Sequence, residues 1–445
     1  MSSVTQLVQQ LIEIGQSKQI NSIEAYASQV QELEVEVSDA QVENLQKAAE
    51  TGVGVRVLHN ARLGFAYTTD LSSEGLTKLV QEALENSSIV PTDQYYSLAQ
   101  PQPYEELELL DRESWDTVSI EEKIALAKGI ETAAKAYDRR VSKVRMARFS
   151  EQMYQVALAN SYGLTASYAG TGYSASVLAI AQEGENTETG WGFNFSHRLA
   201  ELNPEQVGVE AGQRSVAMLG ARTVSSQKAD IILDPAIGAE FLGVIAPALT
   251  GDAIQKGKSL FFDKLGQTVA SSIVNISDDG RKLAGAAAAP VDDEGVPTGE
   301  TPLIVNGVLQ GFLHNIYTAR KAGVAPTGNG LRSSFRGRPE SSPSNFYLLP
   351  GNKPAAEIIA GVQRGLYVTS VMGMHTANPI SGDFSLGASG LWVENGEFAY
   401  PVRGVAIAGN IVDFLKSMVE IGSDLKFLGS YGSPTIRVAG ISISG

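Results

Sequence analysis

The sequence predicts an α+β protein with two domains, an α/β domain over residues 1–222 and a β-rich domain over residues 223–445. The chain has 445 residues, more than a single hydrophobic core usually organises. The first half mixes helical and strand-like spacings of apolar residues, whereas the second half shows mainly strands and hairpins. A helix that ends near Leu219-Gly220 separates the two patterns, and the boundary is therefore placed around residue 223.

The N-terminal segment predicts a helix followed by a strand hairpin. Its apolar residues at helical spacing are Val4, Leu7, Val8, Leu11 and Ile12. They predict an amphipathic helix rather than a signal peptide, because the segment has neither a basic start nor an unbroken apolar run. Apolar and polar residues then alternate over 33–37 and 53–57, as in half-buried strands. A turn near His59-Asn60 leads to residues 63–67, which predicts a hairpin.

Two longer helices and a run of strands follow. A helix is predicted on either side of residues 87–111, the second of them behind a capping box formed by Ser119 and Glu122. Residues 87–111 themselves show no period and predict a long surface connection. Strands dominate from about residue 144 to 195. Asn203-Pro204, an N-cap followed by proline, begins the last helix before the boundary.

The second half predicts strands joined by tight turns. A short strand is expected over 231–233, and a helix over 236–249. Asn306-Gly307 and Asn395-Gly396 each lie between alternating apolar residues, which predicts two hairpins because both turn positions need a positive φ. Residues 323–345 form a polar loop rich in Gly, Pro and Ser, and structureless loops of this length are usually functional or disordered.

Composition limits the classes of partner and compartment. The net charge of −15 argues against nucleic-acid binding through a general basic field. No apolar stretch reaches the roughly 20 residues that a membrane-spanning helix needs, so no membrane partner is expected. The chain contains no cysteine, so nothing points to an oxidising compartment, and a cytoplasmic location is expected.

The metal-binding residue types are sparse and scattered. Zinc usually takes three or four ligands from Cys, His, Asp and Glu. The histidines are His59, His197, His314 and His375. Since no two of them share a helix turn, the sequence argues against a zinc site in this chain. A site for Mg²⁺ or Ca²⁺ built from carboxylates stays open, because those ions need only oxygen ligands.

Several short motifs, in their order along the chain, carry a family resemblance. They are GVGVRV (52–57), GFAYTTD (64–70), NSYG (160–163), DDEGVPTGETPLIVNGVLQGFLHN (292–315), PTGNG (326–330), SGDFSLGASG (381–390), YPVRG (400–404) and SPTIRV (433–438). Together they identify the chain as a member of the TldD/PmbA peptidase family, also called the modulator of DNA gyrase family. The resemblance implies an α/β N-terminal domain and a barrel-like C-terminal domain.

The segment LGVIAPALTGD, residues 242–252, decides which branch the chain resembles. The catalytic TldD branch has HEAxGHxxEGD there, with two zinc-binding histidines and a general-base glutamate. When the two are aligned on Gly251-Asp252, the histidines fall on Leu242 and Pro247, and the glutamate falls on Gly243. The matching C-terminal segment, LGSYGSP at 428–434, also lacks the cysteine that completes the zinc site in that branch. The chain therefore resembles the PmbA or TldE branch. Pro247 also predicts a local shape unlike that of a metal-binding helix.

The resemblance implies a subunit of a two-subunit zinc metallopeptidase. Zinc is expected in a TldD-like catalytic partner. In this chain, no metal ligand, no cofactor and no catalytic residue is expected. Peptidase activity is expected only in the complex, on short or unfolded peptides, and the chain alone is expected to form a homodimer. The candidate substrate-binding residues are Thr327, Asn329, Arg332, Ser381, Asp383 and Arg403.

Simpler roles compete with these assignments. Residues 381–383 also suit a plain tight turn, and Arg403 suits a residue that holds a loop by hydrogen bonds. The acidic run 292–294 resembles a cation site, although a solvated turn is the preferred interpretation. Two other functions remain open, a hydrolase with a metal-free site and a stand-alone peptide-binding homodimer.

Overall fold

The computed structural model describes residues 3–378 and 380–445. The helices, in chain order, are α1 (Val4–Ser17), α2 (Ser73–Ile89), α3 (Arg112–Thr117), α4 (Ile120–Tyr137), α5 (Pro204–Ala217), α6 (Pro235–Ile245), α7 (Gly251–Gln255), α8 (Ile316–Ala322), α9 (Ala355–Ala360) and α10 (Ile411–Lys416). The strands, in chain order, are β1 (Ile23–Ser38), β2 (Gln41–His59), β3 (Arg62–Thr68), β4 (Val141–Asn160), β5 (Thr165–Glu183), β6 (Asn186–Ser196), β7 (Gln227–Leu233), β8 (Ile276–Asp279), β9 (Glu300–Val305), β10 (Val308–Leu309), β11 (Gly330–Leu331), β12 (Glu340–Ser341), β13 (Phe346–Leu348), β14 (Arg364–Met372), β15 (Asp383–Glu394), β16 (Glu397–Asn410), β17 (Met418–Ile421), β18 (Lys426–Leu428), β19 (Tyr431–Ser433) and β20 (Ile436–Ser444).

The N-terminal sheet is antiparallel, with the strand order β3-β2-β1-β4-β5-β6. Helices α1 and α2 cover β1 and β2 on one face, and α4 and α5 cover β1, β4 and β5. The alternating apolar residues predicted over 33–37 and 53–57 supply these two cores, with Val35 and Val55 fully buried. The opposite face packs in part against the second half of the chain, where Tyr26 and Leu158 meet Val296 and Phe335.

The predicted local features of the first half are present. The capping box of Ser119 and Glu122 begins α4, and Asn203 caps α5 with Pro204 in its first turn. Residues 60 and 61 turn between β2 and β3 with φ of 51° and 56°. The connection after α2 was predicted to lie on the surface, and this is wrong in part, because Leu98, Ala99 and Leu109 are buried. The connection is polar overall, but a few of its apolar residues pack into the protein interior.

The C-terminal half contains the barrel that the family resemblance implies. One sheet has the order β16-β15-β14-β7-β20-β17, and β16 also pairs with β20 through Ile407 and Ile443. This extra pairing closes β7, β14, β15, β16 and β20 into a five-stranded barrel. A second sheet has the order β10-β9-β8-β13-β19-β18. The two share one core, in which Phe241, Phe346 and Trp392 are buried, so the structure confirms the α+β fold class.

The two predicted Asn-Gly hairpins are correct. Asn306 and Asn395 adopt φ of 49° and 52° at the turns that join β9 to β10 and β15 to β16. The polar loop 323–345 is ordered around the short hairpin of β11 and β12, and Phe335 within it is buried against Gly52. No helix within residues 3–378 and 380–445 has the length and apolar character needed to cross a membrane.

Candidate functional site

Helix α6 carries the first part of the segment that resembles a metal-binding helix. Asp234 caps it, since its Oδ1 accepts a hydrogen bond from the Ala236 N–H at 3.0 Å, and Pro235 occupies the first turn. A helix was predicted through residue 249. The α-helix instead ends at Ile245, and residues 246–249, which include Pro247, form a 3₁₀ turn. The change is expected because proline lacks an N–H and its ring clashes with the preceding helical turn.

The β18–β19 hairpin packs directly on α6. A Cβ at Gly238 would collide with the Ser433 side chain, so the hairpin approaches the helix backbone closely at this point. One turn further on, a Cβ at Gly243 would lie 3.9 Å from the ring of Tyr431. The segments 242–252 and 428–434, which the resemblance assigns to one metal site, are therefore neighbours in the structure.

The side chains at this junction do not suit zinc. Leu242 is only 1% exposed and belongs to the C-terminal core. Leu242, Gly243 and Pro247 carry no donor atom of the kinds that bind zinc. The hairpin offers only hydroxyl groups here, and Ser433 already donates to the Pro434 carbonyl at 2.9 Å. Across residues 3–378 and 380–445, no cluster of three or more His, Asp or Glu suited to a metal ion is found.

Glu240 is a carboxylate on α6 that the motif comparison did not single out. Its burial raises the pKa of this side chain above the usual range for a glutamate. His314 packs on Gly251, near the end of segment 242–252, and its Nδ1 lies 3.1 Å from the Thr318 hydroxyl. Burial lowers the pKa of His314, and its ring has a hydrogen-bond partner in the Thr318 hydroxyl.

Two clefts lie next to α6 and its hairpin. The first, of about 560 Å³, is bordered by the start of α6, by Lys426–Leu428 and by residues of α5 and β6. Trp191, Phe193 and Phe195 line it from β6, and the guanidinium of Arg214 stacks 4.1 Å from the Trp191 ring. In the W-G-F-N-F stretch of β6, aromatic residues alternate with Gly and Asn, and this pattern indicates one aromatic face of the strand from the sequence alone.

The second cleft, of about 540 Å³, crosses the face of the N-terminal sheet opposite its helices and ends at Ala286 and Gly429. Phe193 and Phe195 border this cleft as well. Both clefts therefore meet the β18–β19 hairpin, from two sides of the same aromatic wall.

Three of the predicted substrate-binding residues lie in the polar loop, but they are engaged inside the protein. Thr327 donates to Asn329 Oδ1 at 2.6 Å, and the buried Asn329 donates to Asp278 Oδ2 at 2.7 Å. The side chain of Arg332 is fully buried and pairs with Glu24 of β1. Its Nε also donates to the Asp293 carbonyl at 3.3 Å. The Arg332–Glu24 pair holds the loop against the N-terminal sheet, whereas Asn329 ties it to Asp278 of β8.

The acidic run 292–294 was predicted to be a solvated turn, and this is wrong. Asp292, Asp293 and Glu294 are 1%, 8% and 1% exposed. Arg56 of β2 forms ion pairs with Glu294 Oε1 at 2.8 Å and with Glu24 Oε2 at 2.6 Å. The carboxylates can be buried because guanidinium groups and backbone N–H groups from distant parts of the chain face them.

The other predicted residues lie in separate places. Ser381 donates to Asp383 Oδ2 at 2.8 Å, and Asn410 donates to the Asp383 Oδ1 at 2.9 Å, which closes an exposed turn before β15. Arg403 of β16 pairs with Glu188 of β6 at 2.6 Å. Within the described part of the chain, the turn at Ser381 and Asp383 shares no hydrogen-bond partner with residues 327–332, and neither does Arg403. Substrate binding by any of these residues stays a prediction.

The chain matches one protein family along most of its length. Three successive domain models of the PmbA/TldA metallopeptidases match, domain 1 over residues 23–87, the central domain over 113–219 and the C-terminal domain over 226–445. Metalloprotease PmbA of Escherichia coli O157:H7 is 29% identical over 428 residues, which cover 94% of this chain and 92% of that protein.

Solved structures show the same fold. The crystal structure of a protein from Thermotoga maritima MSB8, described as a modulator of a DNA gyrase, superposes with a TM-score of 0.91 at 29% identity, covering 99% of this chain and all of that chain. TldE from Thermococcus kodakarensis superposes with a TM-score of 0.90 at 23% identity, covering 99% and 100% of the two chains, and this likeness concerns the fold.

Proposed function

This chain belongs to the PmbA/TldD metallopeptidase family, and from that premise we propose that it is a non-catalytic, TldE-type subunit of a two-subunit zinc metallopeptidase. Its proposed partner is a TldD-like subunit that holds the zinc, and its proposed substrates are unfolded peptides. One observation carries the proposal. The helix and hairpin that correspond to the metal site pack together, but their side chains are Leu242, Gly243 and Pro247 where ligands and base are needed.

The local structure supports the same conclusion. A single lost ligand could leave a weakened metal site, since carboxylates or water replace one ligand in many sites. Here Leu242 is part of the hydrophobic core and Pro247 lies in a 3₁₀ turn after the α-helix has ended. The departure from a metal site therefore involves side-chain chemistry, packing and backbone shape together.

The clefts beside the junction suggest what this subunit does for a peptide. Phe193 and Phe195 separate two clefts that both reach the β18–β19 hairpin. Aromatic walls bind apolar side chains and exclude water, while two ion pairs, Arg214 with Asp234 and Lys426 with Glu210, supply polar groups at the rim of the first cleft. In the proposed complex, these residues hold and orient an extended peptide, and the partner supplies the metal.

The test compares the chain alone with the chain combined with a TldD-like relative that carries the HExxxH motif. Zinc content is measured by elemental analysis, and cleavage of an unfolded peptide is followed by mass spectrometry. We expect no stoichiometric zinc and no cleavage for the chain alone, and chelator-sensitive cleavage for the pair.

Three outcomes would contradict the proposal. Zinc bound by the chain alone, with cleavage that a chelator abolishes, would make it a metallopeptidase in its own right. Cleavage by the chain alone in the presence of chelator would indicate a metal-free hydrolase. Peptide binding without activation by any TldD-like relative would indicate a stand-alone peptide-binding protein.

A substitution in the aromatic wall tests the peptide-holding role. Phe195→Ala is expected to raise the KM of the active pair several-fold, because it removes apolar contact area from both clefts. Phe262→Ala, at an exposed phenylalanine that lines neither cleft, is the matched control and should leave KM unchanged. Equal KM values for the two variants would remove this wall from the substrate path.

A further inference from the structure

A short loop of the second half separates the two clefts beside the β18–β19 hairpin. Leu283 and Ala284 border the first cleft, and Ala286 borders the second. Gly285 lies between them and is buried. Residues 283–286, which we call the partition, belong to no helix or strand. Individual hydrogen bonds therefore decide where the partition lies.

One peptide group in the partition connects it to both of its surroundings. The carbonyl oxygen of Gly285 lies 3.3 Å from Nε2 of His197, the residue that follows β6. The N–H of the same peptide group belongs to Ala286 and donates to the Gly429 carbonyl of the β18–β19 hairpin at 3.1 Å. This single group therefore joins the N-terminal sheet to the hairpin, at the boundary of the two clefts.

The residues on either side of the partition are held separately by Asn345. The buried side chain of Asn345 donates to the Lys282 carbonyl at 3.2 Å, and its Oδ1 accepts from the Ala287 N–H at 2.9 Å. Within the described chain, only the peptide group between Gly285 and Ala286 joins residues 283–286 to a distant segment by hydrogen bonds. Because glycine restricts backbone rotation least, this group can turn once its contacts are lost.

The ring of His197 lies between two hydrogen-bond acceptors. Nδ1 is 2.8 Å from the Thr171 carbonyl oxygen of β5, and Nε2 faces the Gly285 carbonyl oxygen. A carbonyl oxygen only accepts, so both ring nitrogens must carry a proton if both contacts are hydrogen bonds. A neutral ring has one proton, which favours Nδ1 because that contact is shorter. The lone pair of Nε2 would then point at the Gly285 oxygen.

The surroundings of His197 supply no competing charge. The residue is 5% exposed, and the Phe195 ring packs edge-on against the imidazole with 5.1 Å between centroids. Charged residues on the elements packed around it each have another partner: Arg198 with Glu108, Glu201 with Ser196, Glu151 with Lys123, Asp111 with the N–H groups of Ser114 and Leu199, Arg281 with the carbonyls of residues 105 and 106, and Lys282 with the Tyr347 ring. The two carbonyl oxygens are therefore the polar groups that face the ring.

We propose that His197 is a proton-dependent latch between the two clefts. With both ring nitrogens protonated, His197 holds the Gly285 carbonyl and the partition stays closed. Loss of the Nε2 proton replaces a hydrogen bond by a contact between two lone pairs. The peptide group is then released, the partition moves, and the two clefts become one continuous groove.

The direction of the pH dependence follows from the contacts. The closed form binds the proton more tightly than the open form, so closure is favoured as the pH falls and opening as it rises. Histidine ordinarily changes its charge between about pH 5 and pH 8. This latch does not depend on the proposed peptidase role, because its tests use the chain alone and measure neither zinc nor cleavage.

Nuclear magnetic resonance tests the proton state of the ring. The chain is labelled with nitrogen-15 in its histidine rings, and the signals of His197 are those that His197→Gln removes. We expect protons on both nitrogens at about pH 5 and on Nδ1 alone at about pH 8. A ring with one proton over the whole range would overturn the proposal.

Hydrogen exchange tests the movement of the partition. Exchange of the Ala286 N–H is followed by mass spectrometry over the same pH range and compared with the rate of an unstructured peptide at each pH. Its protection should fall about ten-fold as the pH rises, because a hydrogen bond from a charged donor changes an equilibrium by roughly that factor or more.

Two variants connect the movement to His197. His197→Gln has no group that titrates in this range, so the protection of Ala286 should stay the same at each pH. His59→Gln, at an exposed histidine in the turn after β2, is the matched control and should keep the pH dependence of the wild type.

Two exchange results would overturn the proposal. Protection of Ala286 could be independent of pH in the wild type, or its pH dependence could persist in His197→Gln. If His197→Gln does not fold, the wild type decides the matter, since protection that stays constant or rises with pH would contradict a latch that opens on losing a proton.

Discussion

At the scale of single residues, charge buried between the two halves of the chain is the main feature. Arg56 lies between Glu24 and Glu294, all three nearly inaccessible, and Arg332 contacts the same Glu24. A buried ion pair contributes little compared with an apolar pair of equal size, but removing one partner leaves a charge without compensation. These residues therefore act mainly by fixing how the halves fit together.

Replacement of Arg56 should be costly. Arg56→Ala leaves Glu24 with Arg332 alone and leaves Glu294 without a cation, and we expect a loss of about 3–5 kcal/mol in the free energy of unfolding. Arg336→Ala removes an exposed pair with Glu50 and should cost much less, because solvent screens exposed ion pairs. Urea unfolding followed by circular dichroism measures both. Equal losses would show that burial does not govern these pairs.

Asp278 should make stability depend on pH. Burial raises its pKa from 3.8 to about 6, although Ser344 and Asn329 donate hydrogen bonds to it. The folded state therefore binds the proton more tightly than the unfolded state, and this contribution is present at low pH and is lost as the pH rises from about 4 to about 6. The shift corresponds to roughly 3 kcal/mol.

The measurement compares the wild type with Asp278→Asn in urea at pH 4, 5, 6 and 7. The stability of the wild type relative to the variant should fall as the pH rises through this range. Asp263→Asn, at an exposed turn, serves as the control. A relative stability that stays constant or rises with pH would contradict the assignment.

At the scale of elements, α6 and the β18–β19 hairpin show how backbone proximity shapes a site. Gly238 allows the hairpin to approach the helix, because a side chain there would occupy the position of Ser433. Gly243 on the same helix has open space in front of Tyr431. The two glycines therefore have different roles, although each costs helix stability by its backbone freedom.

Alanine substitutions should separate these roles. Gly238→Ala forces the hairpin away and should lower the free energy of unfolding by about 1–3 kcal/mol through overpacking. Gly243→Ala fits with a nearest contact of 3.9 Å and should raise stability by about 0.5–1 kcal/mol through helix propensity. Urea unfolding of the two variants provides the test, and a stabilising Gly238→Ala would show that the hairpin is not packed as described.

At the scale of the whole molecule, the barrel depends on contacts between segments far apart in the chain. Strand β20 lies between β7 and β17 and also pairs with β16, so the last strand closes the ring. Ile443 is buried at this closing pair, while its neighbour Ser442 is exposed. The C-terminal strand is therefore a structural part of the core.

Truncation of Ile443 should weaken the entire C-terminal half. Ile443→Ala removes buried methyl groups opposite Ile407 and is expected to cost about 2–5 kcal/mol. Ser442→Ala, the exposed neighbour, should change stability by less than about 0.5 kcal/mol. Thermal unfolding of both variants checks this, and similar melting temperatures would mean that the barrel does not rely on this pairing.

The sequence by itself determined the features that depend on local spacing. Apolar periodicity located α1 and the N-terminal hairpin, and Asn-Gly at positive φ located both C-terminal hairpins. The sequence also determined that residues 242–247 carry no zinc-binding side chains at the positions where the family's metal helix has them. These predictions succeeded because each depends on a few neighbouring residues whose geometry is set by the backbone itself.

Only the tertiary structure decided which distant groups meet. Nothing near residues 292–294 in the sequence shows that they are buried, because Arg56, the cation that contacts Glu294, lies 238 positions away. The predicted substrate-binding residue Arg332 likewise proved to be a buried partner of Glu24. The closure of the barrel and the contact of α6 with its hairpin also join remote segments. Local spacing sets the shape of each element, whereas burial of charge and pairing of strands depend on the free energy of contacts made only when the whole chain has folded.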